Sequence, residues 1–358
     1  MNNLKNHITL ILFLITSYSF SQGLKISTNY MQGFIIPEFD LLDNINEDTY
    51  QGVEMSFFTS SKQKNYWQTL YNYPEYGVSV WYTNFGETNV LGYSFGAEYF
   101  FKINFINKNK YKLYARSGFG VNYINKKFDE VDNPLNTSMG SNINARFNLR
   151  LANTIYLSKQ IAFNLGVGLD HFSNANTRYP NRGINAIAFY GGLTYRFAKE
   201  QEYKAFEMPD YKNSFSSFVS LNTGFFQTKW PNNSYYLVPS LAYDVNYSLG
   251  RIFSLGIGAD AFYNSSIKKR YGNIDGYRTV NSMLLGVHFS QNIHYHKFTF
   301  SLQEGLYLYS YKELDEKPMY NRVQFKWQLS SKLSGNIHLQ SYLNDLEFVG
   351  MGFSYQLN

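Results

Sequence analysis

Alternation of apolar and polar positions is the dominant pattern of this chain. Successive side chains of a β-strand point to opposite faces, so the alternation predicts strands with one apolar face. Segments of about membrane-strand length (~9–11 residues or more) recur in two series. The first series covers 24–34, 50–59, 76–84, 91–105, 111–123, 142–157, 161–174 and 184–197. The second covers 214–228, 235–249, 252–266, 281–295, 298–311, 320–333, 336–343 and 346–357.

The 91–105 segment shows what the alternation implies. Its apolar positions include Tyr93 and Phe95, whereas Ser94 and Glu98 occupy the opposite face. No convincing 3.6-residue helical period appears, and the 358 residues include 33 Tyr and 31 Phe. Outer-membrane barrels combine an apolar outer band, a polar interior and aromatic girdles. The chain is therefore predicted to be an all-β, antiparallel outer-membrane β-barrel of about 16 strands.

The N-terminus has the features of an export signal. Lys5 precedes an apolar run from Ile8 to Ile15, and the small residues Ser19 and Ser21 follow. This run is too short for a membrane helix, so residues 1–21 are predicted to be a cleaved signal peptide. The chain has no cysteine, which excludes disulfides and thiolate metal sites. Export also argues against nucleic acid as a partner.

The two series predict the domain organisation. Each ends in an aromatic-rich segment, at 191–197 and 350–358, of the kind that barrel-assembly machinery recognises. Residues 22–197 and 214–358 form the two eight-strand units, and the charged segment 198–213 is a periplasmic connector. One large barrel and two tandem barrels both fit this layout. One large barrel is favoured, because closure removes every exposed strand edge and two barrels in one chain are unusual.

The connections alternate between short turns, such as 107–110, and longer polar loops, such as 124–141 and 175–183. Short turns are periplasmic in outer-membrane barrels and long loops lie outside. The formal net charge of +6 fits loop lysines and contact with anionic lipopolysaccharide about equally well. Glu304 falls in register with outward leucines, and a β-bulge that turns it inward is expected there.

A base and a hydroxyl share one face near the end of the 161–174 segment. His171 and Ser173 are in register with Phe163, Leu165 and Val167, on the apolar face. A serine becomes a nucleophile when an adjacent base takes its proton. A pair of this kind beside a lipid surface indicates an enzyme that attacks acyl chains where they lie. An isolated His-x-Ser motif is more often a pair of polar residues at the membrane interface with no catalytic role.

The stretch from His171 to Asn185 resembles the active-site hairpin of the lipid A 3-O-deacylase (PagL) and acyloxyacyl hydrolase family. The shared features are His171, Ser173 and Asn174, followed by Pro180, Asn181 and Gly183. The resemblance covers about residues 24–197 and implies an outer-membrane serine esterase acting on lipid A. No metal or cofactor is implied.

By this resemblance Ser173 is the nucleophile and His171 its general base. Asn174, Asn181 and Gly183 would support the oxyanion and the site geometry. The position of the family's acidic third residue is Asn185 here, whose carbonyl can still accept the imidazole N–H and fix its tautomer. An acid from elsewhere in the chain, Asp170 or Glu130, is the alternative third member.

Two functions follow from the sequence. The first is hydrolysis of an ester-linked acyl chain of lipid A, the 3-O chain by family resemblance, with phospholipid as another substrate of the same class. The second is a non-catalytic barrel, porin-like or structural, with a degenerate deacylase site. The second series, 214–358, contains no His-x-Ser hairpin and is expected to lack catalytic groups.

Overall fold

The computed structural model describes residues 23–37, 49–61, 66–175, 177–197, 206–227, 234–271, 273, 276, 278–310, 318–343 and 345–358. It is an all-β architecture of antiparallel strands, which confirms the predicted fold class. The predicted signal peptide and residues 198–205 of the predicted connector lie outside the described residues. None of the helices within these described ranges is long and apolar enough to cross a membrane.

The first eight strands form one closed barrel in sequential order. Their bounds lie within three residues of the predicted segments. The strands are β1 (Lys25–Ile35), β2 (Tyr50–Ser60), β3 (Glu75–Phe85), β4 (Tyr93–Lys108), β5 (Tyr111–Ile124), β6 (Ile143–Tyr156), β7 (Ile161–Ser173) and β8 (Ile184–Arg196). A short helix, α1 (Tyr66–Leu70), lies in the long connection between β2 and β3.

The last eight strands form a second closed barrel. They are β9 (Phe215–Gln227), β10 (Tyr235–Ser248), β11 (Phe253–Tyr263), β12 (Met283–Tyr295), β13 (Phe298–Ser310), β14 (Met319–Gln328), β15 (Leu333–Tyr342) and β16 (Asp345–Gln356). Between β11 and β12 lie a second short helix, α2 (Ser265–Tyr271), and a 3-10 turn (Thr279–Ser282). The chain divides into two compact units between Met208 and Pro209.

The expectation of one large barrel was wrong, because each series closes on itself. β1 pairs with β8 along its whole length, and β16 pairs with β9 from Phe348 to Gln356. Each closure leaves no strand edge unpaired, so merging the two series would gain no further edge pairing. Eight strands enclose a lumen just wide enough for side chains to fill it. The inward residues of each series are large enough to do so.

A network of three arginines and three acids fills the lumen of the first barrel. Glu54 accepts hydrogen bonds from Arg116 at 2.8 Å and from Arg150 at 3.0 Å. Arg146 lies 2.6 Å from the carboxylate of Asp170. All of these side chains are buried. A buried charge is tolerated when it is paired and hydrogen-bonded, and this network meets both conditions.

The lumen of the second barrel is organised around a buried histidine. Nδ1 of His288 lies 2.6 Å from Asp260, and its Nε2 lies 2.9 Å from Asp244. Arg322 donates to the other oxygen of Asp260 at 3.0 Å. An apolar cluster that includes Phe262 packs above these groups. His288, Asp244, Asp260 and Arg322 thus form one hydrogen-bonded group within this lumen.

The outer walls of both barrels are apolar. In the first barrel Phe119 is 63% exposed and Phe189 66%, and in the second Leu221 is 66% and Ile257 67%. Side chains of this size and exposure on every strand match the lipid-facing band of an outer-membrane barrel. The inward and outward assignments that the alternation predicted are therefore confirmed for most of the strands.

Candidate active site on the outer wall of the first barrel

The end of β7 carries two polar side chains on its outer face, and buried side chains on its inner face hold this part of the strand in place. His171 and Ser173 face outward and are half-buried. Their neighbours Asp170 and Phe172 face inward and are fully buried. The ring of Phe172 packs edge-on against Phe85, with centroids 5.0 Å apart. Sites on strands whose neighbours are packed hold their geometry well. The pair therefore lies on a rigid strand end.

Apolar residues continue down the same face of β7. Phe163 is 38% exposed, Leu165 48% and Val167 39%. The predicted register is therefore present in the structure, with a base and a hydroxyl at the top of a lipid-facing wall. An acyl chain lying along that wall would bring its ester bond to the level of these two side chains.

His171 contacts the side chain of its partner on the neighbouring strand. His171 and Asn185 are register partners of β7 and β8, and Nδ1 of the imidazole lies 2.6 Å from Oδ1 of the amide. With the proton on Nδ1, the imidazole donates to this carbonyl. The other nitrogen, Nε2, is then the unprotonated atom and can accept a proton. The amide thus selects the tautomer that a general base requires.

The two alternative acids do not reach His171. Asp170 points into the lumen, where it accepts from Arg146 at 2.6 Å and from Tyr50 at 2.8 Å. It immediately precedes His171 in the strand and so occupies the opposite face. Glu130 is an exposed residue of the loop between β5 and β6, with no bond to His171 in the described part of the chain. The suggestion that either acid completes the site was wrong.

Asp129, another acid of the same loop, is committed to a local turn. The Asp129 carboxylate accepts the backbone N–H groups of Val131 at 3.0 Å and Asp132 at 3.1 Å. These hydrogen bonds lower the pKa of Asp129, because they stabilise its charged form. Asp129 therefore shapes the loop.

Two hydrogen-bond donors converge on the hydroxyl of Ser173. Nδ2 of Asn181 lies 3.0 Å from Oγ, and the backbone N–H of Ala175 donates to Oγ at 3.1 Å. The backbone N–H of Asn174 donates to Oδ1 of Asn181 at 2.9 Å. Because that bond occupies the carbonyl end of the amide, the NH₂ end is the one directed at Ser173. The predicted support role of Asn181 thus has a geometric basis.

The side chain of Asn174 and the backbone of Gly183 shape the loop and make no contact with the hydroxyl. Asn174 is buried, and its Nδ2 donates to the backbone carbonyl of Arg178 at 2.7 Å. Gly183 has a φ of +77°, and a Cβ there would lie 3.3 Å from Cε1 of His171. A side chain at this position would crowd the imidazole and strain the backbone. Both residues therefore position the site.

Residues from a second loop complete the frame, and sequence reasoning missed them. The N–H of Gly183 donates to the carbonyl of Ser138 at 3.1 Å. Gly140 lies so close to the backbone of Arg178 and Pro180 that a Cβ would come within 2.7 Å of it. Ala175 was also missed, although its φ of +54° brings its N–H to Ser173. The one feature of the sequence that could have indicated these contacts was that small residues follow Ser173, the candidate nucleophile.

The arrangement supplies a hydroxyl, a base, an orienting carbonyl and two N–H donors. In the described residues the Ser173 hydroxyl is bonded to Asn181 and Ala175, and it has no hydrogen bond to His171. Nucleophile–base distances are often long in unliganded sites and shorten when substrate binds. Within the described ranges no three His, Cys, Asp or Glu residues are grouped so as to hold a metal ion.

Two family models match the chain, one on each barrel. The model for lipid A 3-O-deacylase (PagL) matches residues 51–194, which include the whole of the site. The first barrel therefore belongs to the lipid A 3-O-deacylase (PagL) family. A model described as the C-terminal domain of acyloxyacyl hydrolase matches residues 213–358, which contain the second barrel. The two matches together support an outer-membrane β-barrel protein and a hydrolase of the lipid A deacylase type.

Comparison with solved structures finds other outer-membrane barrels at low similarity. Omp33 of Acinetobacter baumannii is 7% identical, with 94% of this chain and 99% of that chain covered and a TM-score of 0.19. An outer membrane channel of Pseudomonas putida F1 is 9% identical, with 94% and 96% covered and a TM-score of 0.22. These scores are too low to inform function. No curated protein matches the chain significantly.

Proposed function

We propose that the PagL-type barrel hydrolyses the 3-O-linked acyl ester of lipid A by a serine mechanism. Ser173 is the nucleophile, His171 the general base, and Asn185 the residue that orients the base. The observation that carries the proposal is the 2.6 Å contact between His171 Nδ1 and Asn185 Oδ1 on the wall that also presents Ser173. The 3-O position rests on the family description alone.

The first step is acyl transfer to the enzyme. As the substrate ester binds, the Ser173 hydroxyl turns from Asn181 toward the imidazole, and Nε2 of His171 takes its proton. Oγ forms a bond to the ester carbonyl carbon, and the carbonyl π electrons move to the oxygen. When the tetrahedral intermediate collapses, the bond to the sugar oxygen breaks, and that oxygen receives the proton from His171.

The second step releases the fatty acid. Water attacks the acyl-serine while His171 again accepts a proton, and the returning proton regenerates the Ser173 hydroxyl. The balance is one ester and one water converted to one carboxylic acid and one sugar hydroxyl. No electron transfer occurs, and the chain's own residues make all of the proton transfers.

The negative oxygen of the intermediate needs donors that are already in place. Nδ2 of Asn181 and the N–H of Ala175 both lie about one hydrogen bond from Oγ of Ser173, at 3.0 and 3.1 Å. Donors beside the nucleophile are well placed for the oxyanion that forms on the adjacent carbon. One such donor contributes roughly 10²–10³ in rate in serine hydrolases.

Lipid A in the outer leaflet suits the location of the site. Its ester bonds lie at the boundary between headgroup and acyl chains, and the His171–Ser173 pair lies at the outer end of the apolar wall of β7. The lipid therefore needs no extraction from the membrane. We also propose that the barrel-assembly machinery recognises the aromatic C-terminal strand β16, which ends at Gln356.

Mass spectrometry of lipid A tests this function. Lipid A from cells that make the wild-type protein should lack one ester-linked acyl chain that is present in cells making Ser173→Ala at equal folded levels. Loss of the 3-O chain supports the full proposal, and loss of another ester-linked chain corrects the position. Identical lipid A in the two strains would favour a non-catalytic barrel, whereas release of fatty acid from phospholipid alone would change the substrate.

A further inference from the structure

A carboxylate lies on the lipid-facing wall of the second barrel. Glu304 is exposed on the outward face of β13, between Leu302 and Leu306. A β-bulge was expected to turn it inward, and this was wrong. The register of β12 and β13 does shift, but between Leu285 and Gly286, which leaves Glu304 directly opposite Phe289.

Two amide side chains lie beside this carboxylate. Nε2 of Gln291 on β12 donates to Glu304 Oε1 at 3.5 Å, a long hydrogen bond. Asn321 on β14 is the register partner of Glu304, and its amide makes no hydrogen bond within the described ranges. We call Gln291, Glu304 and Asn321 the polar patch. It occupies three adjacent strands, with Asn321 directly beside Glu304 and Gln291 opposite Leu302, two residues along the wall.

The polar patch is costly where it is. Glu304 lies at the middle of the 13-residue strand β13, with exposed leucines on both sides of it along the apolar outer wall. Ionisable side chains in the hydrocarbon region are rare and face a partner or a cavity. Here one long hydrogen bond is the only partner within the chain that the structure describes. A surface of this kind calls for a polar partner in the membrane.

We propose that the polar patch binds the same patch on a second copy of this chain, in a symmetric dimer within the outer membrane. The patch is self-complementary, because it holds both an acceptor, the Glu304 carboxylate, and donors, the Gln291 and Asn321 amides. A two-fold axis along the membrane normal keeps depth unchanged. With the axis between β13 and β14, each Glu304 carboxylate lies against the Asn321 amide of the other copy. Lipid acyl chains have no group that could donate a hydrogen bond to this carboxylate.

The surroundings of the patch fit such an interface. Phe289 is 41% exposed and Leu306 54%, and together with Leu302 they form an apolar rim that can pack against the same rim of the second copy. Helices associate in membranes through packing and inter-chain hydrogen bonds, and the same forces are available to barrel walls. On β10 and β11 the wall positions at this level are apolar, for example Ile257 on β11.

The absence of cysteine in the sequence allows a direct test by cross-linking. Leu306→Cys places one thiol beside the patch, and Leu221→Cys places one thiol on β9, four strands away around the barrel, as a matched control. Outer membranes containing each variant are treated with a short bismaleimide and run on denaturing gels. We expect a band at twice the chain mass for Leu306→Cys and monomer for Leu221→Cys. Equal cross-linking of the two, none at either, or an adduct of another mass would overturn the proposal.

Substitution of Glu304 tests the polar contact itself. In the Leu306→Cys background, Glu304→Leu should lower the cross-linked fraction roughly tenfold, because it removes the hydrogen bonds between copies. Glu304→Gln keeps the hydrogen-bonding capacity and should retain the dimer. Heat-modifiable gel mobility establishes that each variant is folded before the comparison. An unchanged dimer in folded Glu304→Leu would show that the polar patch is not the contact. None of these readouts depends on lipid A hydrolysis.

Discussion

Nδ1 of His171 lies 2.6 Å from Oδ1 of Asn185, its register partner across β7 and β8. Adjacent strands thus hold the proposed base and the residue proposed to orient it together, without any loop contribution. The acid that completes most serine triads is replaced by a neutral carbonyl. Such a carbonyl fixes the imidazole tautomer, but it stabilises the imidazolium less than a carboxylate would.

Ser173→Ala and His171→Ala should each abolish release of the ester-linked acyl chain, by at least about a thousandfold. Nucleophile and base act as a unit, so the loss of either removes nearly the whole effect. Fatty acid release from purified lipid A measures it. Ser117→Ala, which changes an outward serine on β5, is the matched control and should keep full activity. Full activity in folded Ser173→Ala would exclude the serine mechanism.

Asn185→Ala should reduce turnover by roughly ten- to a hundredfold, less than the loss of the base itself, because it removes only the orienting group. Asn185→Asp should preserve or raise activity, since a carboxylate stabilises the imidazolium that forms when Ser173 is deprotonated. Only the ionised carboxylate does so, and any gain should therefore shrink as the pH falls toward the ordinary carboxyl range near 4. A pH–rate profile of both variants checks this. An Asn185→Asp variant less active than Asn185→Ala would show that position 185 does not orient the base.

Gly183→Ala should lower activity strongly and cost about 1–2 kcal/mol of stability. The φ of +77° strains any L side chain, and the new methyl would lie 3.3 Å from Cε1 of His171. Turnover and thermal unfolding of the variant measure the two effects. Gly191→Ala is the control, because Gly191 lies on β8, the strand that follows Gly183, and a Cβ there meets no atom within 4 Å. Equal behaviour of the two variants would contradict the role of Gly183.

The histidines of the second barrel should not contribute to deacylation. His288 and His338 are buried in the lumen, and His294 bonds to Ser254 at 2.9 Å. Replacing each by alanine should leave turnover per folded molecule within a few-fold of wild type. His288→Ala should also destabilise the second barrel by about 3 kcal/mol, because it leaves two buried carboxylates short of a partner. Loss of turnover as large as in Ser173→Ala would place chemistry in the second barrel.

Two closed barrels predict that the chain tolerates a cut between them. A protease site inserted between Met208 and Pro209 should yield two fragments after cleavage in outer membranes. Each fragment should keep β-rich circular dichroism and heat-modifiable gel mobility, because each closes its own sheet. Unfolding of both fragments after cleavage would instead indicate a single cooperative barrel.

The strands were predictable because period-two alternation is local. Phe95 and Glu98 fall on opposite faces whatever surrounds them, and the same rule placed His171 and Ser173 on the lipid-facing wall. The choice between one barrel and two was not local, since it depends on whether β8 pairs with β1 or β9. The large inward side chains, such as Arg116 and Arg146, were the sequence feature that could have indicated two narrow lumens.

The details of the site loop could not be predicted in the same way. The N–H of Ala175 reaches Ser173 only because its backbone adopts a left-handed conformation, and the contact of Ser138 with Gly183 joins two loops far apart in sequence. Such contacts depend on tertiary structure. At Glu304 the local rule was right and the added assumption was wrong. The alternation placed this residue on the outer face, and the bulge that was expected to turn it inward is not there.

The filled lumen of the first barrel determines how the proposed substrate can arrive. With Glu54, Arg116 and Arg150 occupying the interior, the lumen offers no route to His171 and Ser173, which face the opposite side of the wall. On the proposed mechanism, lipid arrives and fatty acid leaves by lateral diffusion within one leaflet. Turnover then follows the number of lipid molecules per unit area of membrane, and dilution of the cells leaves it unchanged.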